Sequence, residues 1–218
     1  MNSKRKIALL FFAAVSIVHV LGILLKHDPL QLITKPLLIP ALIVLYRLSV
    51  EKVNKWYIIA LVFSFLGDVF LMDKGSYFIY GIASFLLTQL IYIKIVLGKL
   101  KPSKLIQKII TIIPFSVFFI VLIGLLKDNL DALFYPVIIY GIAISIFGMV
   151  SLLKYLTDKS ISSLYLLLGA VVFISSDSMI ALHQFYEPKP YYGLFIMITY
   201  IVAQYLIYRF MILEKKPT

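Results

Sequence analysis

The chain has 218 residues, of which 62% are hydrophobic, and it carries a net charge of +11 and no cysteine. A mean hydropathy of +1.01 excludes an ordinary soluble globular protein. The absence of cysteine excludes disulfides, thiolate nucleophiles and cysteine-ligated zinc.

Eight apolar segments follow one another along the chain, joined by short polar connections. The first lies in "MNSKRKIALLFFAAVSIVHVLGILL", which begins like a signal peptide, but no small-residue cleavage site follows, so we expect a retained span. The pattern predicts an all-α integral membrane protein with one transmembrane domain over residues 1–218. The predicted spans lie near 7–25, 33–48, 56–72, 77–97, 109–126, 132–153, 164–184 and 191–212.

The basic residues predict the orientation of the chain in the membrane. If the N-terminus is cytoplasmic, fifteen lie on the inner side: Lys4, Arg5, Lys6, Arg47, Lys52, Lys55, Lys99, Lys101, Lys104, Lys108, Lys154, Lys159, Arg209, Lys215 and Lys216. The outer side then has five: Lys26, Lys35, Lys74, Lys127 and Lys189. This bias predicts that both termini are cytoplasmic. Topology and attraction to anionic lipids account for the basic surplus, so we expect no nucleic-acid partner.

The two halves of the chain share short sequence patterns. "KPLLIPALI" in the second span is similar to "YPVIIYGIA" in the sixth, and "TQLIY" in the fourth to "AQYLIY" in the eighth. Because each half has four spans, both halves enter the membrane in the same direction. The pattern indicates two parallel four-helix repeats related by an axis along the membrane normal.

Two aspartates lie well inside predicted spans, whereas the other acidic residues lie at or beyond span ends. Asp68 is in "FSFLGDVFLM" and Asp177 is in "ISSDSMIAL". An intramembrane carboxylate costs roughly 2.5 to 3.5 kcal/mol on insertion scales and marks a functional cavity or an interhelical hydrogen bond. Both aspartates fall at similar distances from the inner ends of their spans. We therefore expect the two carboxyl groups to meet in one cavity in the outer half, within about 10 Å.

Other polar residues are candidates for binding a substrate near these aspartates. Lys35, directly before Pro36, is expected to open the second span as an interfacial anchor or as a partner for a carboxylate or lipid phosphate. Three scattered histidines form no metal motif, so we expect neither a metal nor a cofactor. The candidate substrate-binding residues are Lys35, Ser64, Tyr80, Ser176, Tyr200 and Gln204.

Five segments together resemble the YhhN family of eight-helix membrane proteins, which includes the lysoplasmalogenases. Two positions depart from the family pattern: Gln89 stands where histidine is common, and His183 where asparagine is common. The resemblance implies a bacterial inner-membrane protein. The matching segments are "KPLLIP" (35–40), "GDVFLM" (67–72), "GIASFLLTQLIYI" (81–93), "GAVVFISSDSMIALHQF" (169–185) and "TYIVAQYLI" (199–207).

The resemblance implies hydrolysis of the vinyl ether bond of a lysoplasmalogen, giving a fatty aldehyde and glycerophospho-ethanolamine or glycerophospho-choline. One acid must protonate the outer vinylic carbon and one base must activate water, roles that fit Asp68 and Asp177. The expected partners are a lysophospholipid substrate and membrane lipids. Two alternatives stay open: a proton- or cation-coupled transporter that uses the same carboxylates, and a non-catalytic lipid-binding protein.

Overall fold

The computed structural model describes residues 3–73 and 77–214, and all of the regular structure in these residues is helical. Two short 3-10 turns, Lys127–Asn129 and Asp131–Leu133, precede the sixth helix. The α-helices are α1 Ser3–Leu24, α2 Asp28–Arg47, α3 Lys55–Phe70, α4 Phe78–Leu97, α5 Leu105–Leu126, α6 Phe134–Asp158, α7 Ile161–Phe185 and α8 Tyr192–Leu213.

Each of the eight predicted spans corresponds to one of these helices, which confirms the all-α prediction. Seven of the helices are long and apolar enough to cross a membrane. The exception is α3, whose 16 residues extend for about 24 Å at 1.5 Å per residue. Three of the basic residues used to predict orientation, Lys74, Lys215 and Lys216, lie outside the described residues. The location of the termini stays a prediction.

The start of α2 corrects the prediction that Lys35 and Pro36 open the second span. The helix begins at Asp28, with Pro29 in its first turn, and the His27 side chain accepts a hydrogen bond from the Leu30 backbone N–H. Polar residues in this first turn lower its hydropathy, so a criterion based on hydropathy does not include it in the span. The capping residue and the early proline nevertheless favour a helix start. Pro36 therefore lies inside the helix, where it cannot donate a backbone hydrogen bond.

The chain divides into two compact units, Met1–Thr88 and Gln89–Thr218, with the boundary inside α4. In the first unit α1 packs on α2, and α2 packs on α3. In the second unit α5 packs on α6, α6 on α7, and α7 on α8. The contact between α7 and α8 is close at Gly169, where an added Cβ would lie 3.2 Å from the Ile207 backbone nitrogen. The predictions of one transmembrane domain and of a four-helix repeat stay predictions.

A buried ionic cluster joins the ends of three helices in the second unit. We call it the Lys154 cluster; its members are Lys154 and Asp158 of α6, Lys101 before α5, and Glu214 after α8. The Lys154 ammonium lies 2.8 Å from a Glu214 carboxylate oxygen and 3.5 Å from an Asp158 oxygen. It also donates to the Lys99 carbonyl at 3.0 Å. The side chain of Lys154 is only 3% exposed, so this lysine, which the sequence analysis used only to predict orientation, forms a buried ion pair.

Serine hydroxyls at the start of α7 complete the Lys154 cluster. Ser162 donates to Glu214 at 2.6 Å, and Ser160 donates to Asp158 at 2.6 Å. Ser160 is also the N-cap of α7, where its hydroxyl accepts from the Ser163 backbone N–H. Capping of this kind satisfies backbone donors that a helix start leaves unpaired. The tight turn between α6 and α7 is thus stabilised by the capping hydrogen bonds of Ser160 and by the ion pairs of Asp158.

The predicted orientation can be tested by thiol labelling, because the chain contains no cysteine of its own. Cysteines introduced at positions 75 and 187 should react with a membrane-impermeant reagent in intact cells, and one at position 103 should not. Position 75 lies outside the described residues, whereas 187 lies in the α7–α8 connection and 103 in the α4–α5 connection. Labelling at 103 alone would reverse the orientation that the basic residues predict.

Candidate functional site

Asp68 is buried near the end of α3, with a side chain that is 3% exposed. One turn earlier on the same face, the Ser64 hydroxyl donates to the Thr88 hydroxyl at 3.3 Å, and Thr88 donates to the Ala60 carbonyl at 3.1 Å. The preceding residue, Gly67, packs so closely on the Phe85 ring that an added Cβ would lie 2.6 Å from it. A small residue and a hydroxyl pair therefore pack the part of α3 that carries Asp68 against α4.

Lys35 brings a positive charge to the same unit. It is half-buried on α2 and interacts electrostatically with Asp68. The neighbouring residue Thr34 shares a 2.8 Å hydrogen bond with Nδ1 of His19 on α1. A buried imidazole and an ammonium group therefore lie in the polar region that contains Asp68. The bond to Thr34 links α1 to α2.

The surroundings of Tyr80 are aromatic and exposed, unlike the buried polar surroundings of Asp68. Its side chain is 56% exposed, and its ring packs on Phe70 at 5.8 Å and on Tyr77 at 6.1 Å between centroids. Clusters of aromatic rings at helix ends are typical of the membrane–water interface. The structure thus packs Tyr80 in an aromatic cluster with Phe70 and Tyr77, and its predicted contact with a substrate stays a prediction.

Asp177 lies on α7 and is 9% exposed. The Tyr140 hydroxyl on α6 donates a hydrogen bond to its Oδ2 atom. The adjacent residue Ser176 is fully buried and donates to the Ile196 carbonyl of α8 at 3.0 Å. Ala170, on the same face of α7, is also fully buried. Neighbours on two helices therefore fix the position of this carboxylate.

Four further polar side chains lie in the core of the second unit. The Tyr92 hydroxyl donates to the Gln204 amide oxygen at 3.0 Å, which joins α4 to α8. Tyr200 packs edge-on against the Phe173 ring, with 5.9 Å between centroids. Gln89 of α4 is fully buried beside Tyr140. The Gln204 amide thus links two helices, and its predicted contact with a substrate stays a prediction.

The structure brings the predicted residues together in part. In the first unit, Lys35 interacts electrostatically with Asp68, and in the second unit Asp177 has polar neighbours. The meeting of the two carboxyl groups in one cavity stays a prediction.

Sequence reasoning missed Tyr140, the hydrogen-bond donor to Asp177. The available signal was a phenol in the middle of an apolar span, because a buried tyrosine hydroxyl requires a hydrogen-bond partner.

In residues 3–73 and 77–214, no three His, Asp or Glu side chains are grouped to hold a metal ion.

The YhhN family model matches residues 30–211, which include α3, α7 and both buried aspartates. The chain belongs to the YhhN family. It is similar to a bovine (Bos taurus) protein named lysoplasmalogenase TMEM86A, with 32% identity over 173 residues. The match covers 73% of this chain and 66% of the bovine protein, just under two thirds of that relative's length. No solved structure matches. The family and the seven apolar helices make this YhhN protein an integral membrane protein.

Proposed function

We propose that the protein hydrolyses the vinyl ether bond of lysoplasmalogens, releasing a fatty aldehyde and a glycerophospho-ethanolamine or glycerophospho-choline. The observation that carries this proposal is the buried Asp177 carboxylate, held by the Tyr140 hydroxyl within an apolar helix of a YhhN chain. The similarity to a protein named lysoplasmalogenase supports the same substrate class. An ionisable group at such a position is costly to bury and is for that reason a mark of a functional site.

The proposed chemistry requires one acid and one base. The acid protonates the outer vinylic carbon, which converts the ether carbon into an oxocarbenium ion. Water adds to that carbon and loses a proton to the base, and the resulting hemiacetal collapses to aldehyde and alcohol. We assign these two roles to Asp68 and Asp177, since paired carboxylates in apolar surroundings carry out related chemistry at acetal centres.

The substrate is an amphiphile, and the protein offers it both kinds of surroundings. The apolar tail of the lysolipid would lie among the membrane-facing helices, while the headgroup phosphate would pair with the Lys35 ammonium. We place the protein in a bacterial inner membrane, with both termini in the cytoplasm. The half-buried position of Lys35, close to Asp68, supports a headgroup site at this lysine in the first unit.

The test is aldehyde release by the purified full-length protein in detergent. Mass spectrometry should detect fatty aldehyde from a lysoplasmalogen and no fatty acid from the matched ester lysolipid. Release of fatty acid alone would indicate an esterase and overturn the proposal. Absence of both products, together with proton-coupled uptake in vesicles, would favour the transporter alternative.

Replacing Lys35 by alanine should raise KM for the lysolipid by roughly tenfold and change kcat by less than about threefold. This split is expected when an ammonium binds the phosphate equally well in the ground and transition states. Steady-state kinetics at several lysolipid concentrations measure it. Lys26→Ala, at an exposed position in the α1–α2 connection, is the control and should change neither constant. A collapsed kcat with unchanged KM would instead place Lys35 in the chemical step.

A further inference from the structure

The Gln89 amide is a buried polar group that the proposed mechanism does not use. Its side chain is fully buried on α4. Neither Oε1 nor Nε2 has a hydrogen-bond partner among the residues that the structure describes. A primary amide offers one acceptor and two donors, and native proteins pair such groups when they bury them. A polar ligand that hydrogen-bonds to the amide would account for its lack of a partner among the described residues.

The surroundings of Gln89 indicate which part of a ligand it would meet. Its amide lies next to the Tyr140 hydroxyl, although not at hydrogen-bonding geometry. Tyr140 gives its single hydrogen to Asp177, so its oxygen can act toward a ligand only as an acceptor. Within the second unit, the Tyr140 hydroxyl therefore lies next to both the Gln89 amide and the Asp177 carboxylate. A ligand group at Gln89 would lie close to the carboxylate to which we assign chemistry.

We propose that Gln89, assisted by Tyr140, binds the free 2-hydroxyl of the glycerol in the lysolipid substrate. The hydroxyl donates to the amide Oε1, and an adjacent glycerol oxygen accepts from Nε2. A hydroxyl is a suitable partner because it both donates and accepts, and it lies on the carbon next to the one that carries the vinyl ether. This inference rests on the proposed function, because it names the group by which that site recognises its substrate.

The assignment makes Gln89 a determinant of specificity for lysolipids. Acylation of the 2-hydroxyl removes the donor and adds a bulky chain, so a diradyl plasmalogen would leave the amide unpaired. Sites built to hydrogen-bond a substrate hydroxyl discriminate strongly against analogues that lack it, by up to about 10⁴–10⁵-fold. We expect discrimination of at least about 10²-fold here.

The first test is independent of activity. Gln89→Met should keep or raise the melting temperature of the ligand-free protein, because it replaces an unpaired amide by an apolar side chain of similar length. Gln204→Met is the matched comparison, since Gln204 is also buried but accepts from the Tyr92 hydroxyl; its melting temperature should fall. A fall for Gln89→Met as large as that for Gln204→Met would show that Gln89 serves packing and would overturn the proposal.

The second test uses two vinyl ether substrates, a lysoplasmalogen and its 2-deoxy analogue. The wild-type protein should prefer the lysoplasmalogen in kcat/KM by at least about 10²-fold. Gln89→Met should lose that preference to within about threefold, through reduced activity on the lysoplasmalogen alone. Leu90→Met, at the next position of α4 but 48% exposed, is the control and should keep the preference. Equal losses of Gln89→Met on both substrates would overturn the assignment.

A binding measurement separates the failure of this inference from the failure of the proposed function. Saturated-ether lysolipid and its 2-deoxy form contain no cleavable bond, and their affinities can be measured by calorimetry. If wild-type protein releases no aldehyde but binds the 2-hydroxyl form at least tenfold more tightly, and Gln89→Met does not, the hydroxyl site stands without hydrolysis. If the two lipids bind wild-type protein equally, the hydroxyl site is overturned whatever the hydrolysis assay shows.

Discussion

Asp177→Asn and Asp68→Asn should each reduce aldehyde release from lysoplasmalogen by at least about 10²-fold, the lower end of what proton transfer by a positioned side chain contributes. Asparagine keeps the shape of aspartate but cannot take up and release a proton. At position 177 the amide oxygen can still accept from Tyr140, so the α6–α7 contact should persist. The loss should therefore appear in turnover and not in folding or membrane insertion.

The control for both variants is Asp131→Asn. Asp131 is exposed in the α5–α6 connection and has a positive φ of 42°, a backbone conformation that asparagine also adopts readily. This variant should hydrolyse lysoplasmalogen at the wild-type rate. Near-wild-type turnover by Asp68→Asn with loss in Asp177→Asn alone would reduce the mechanism to one carboxylate. Full turnover by both would remove carboxylate catalysis.

Lys154→Met should lower the free energy of unfolding by about 3–5 kcal/mol, the range found when one partner of a buried ion pair is removed. The methionine fills the space of the lysine stem, but Glu214 then stays buried without its closest cation, which lies 2.8 Å away in the native protein. The Ser162 hydroxyl would remain as a neutral donor to that carboxylate. Denaturation in detergent, followed by circular dichroism, measures the loss.

Lys101→Met provides the comparison within the Lys154 cluster. Lys101 also pairs with Asp158, but its side chain is 60% exposed, so its removal should cost less than about 1 kcal/mol. Adding Glu214→Gln to Lys154→Met should recover part of the stability, because the two residues act as a unit and their effects do not add. Additive losses, or equal losses for the two lysine variants, would contradict a coupled buried pair.

The helices could be predicted from the sequence because a membrane span requires a long apolar segment whose ends are marked by polar residues. This constraint located all eight helices and both aspartates within them. It failed at the start of α2, where capping by His27 and an early proline extend the helix through a polar turn. Hydropathy responds to transfer into lipid, whereas a helix start depends on local hydrogen bonds.

The partners of each polar side chain were decided by the tertiary structure. The sequence placed Asp177 in a span and Lys154 among the residues that predict the orientation of the chain, but it contains no information on which distant hydroxyl or carboxylate reaches them. Tyr140 is 37 positions from Asp177, and Glu214 lies 60 positions from Lys154 in sequence, beyond any helical periodicity. Helix packing sets these contacts, because each helix presents several faces to its neighbours and periodicity alone does not select among them.

Thus the sequence by itself determined an integral membrane protein of eight helices, its family and the two buried aspartates. Only the tertiary structure paired Asp177 with Tyr140, left the Gln89 amide without a hydrogen-bond partner among the described residues, and buried Lys154 among acidic side chains. The physical reason is the same for all three. Burial of an apolar segment depends on composition over about 20 residues, whereas the pairing of a polar atom depends on which atom lies within about 3 Å of it.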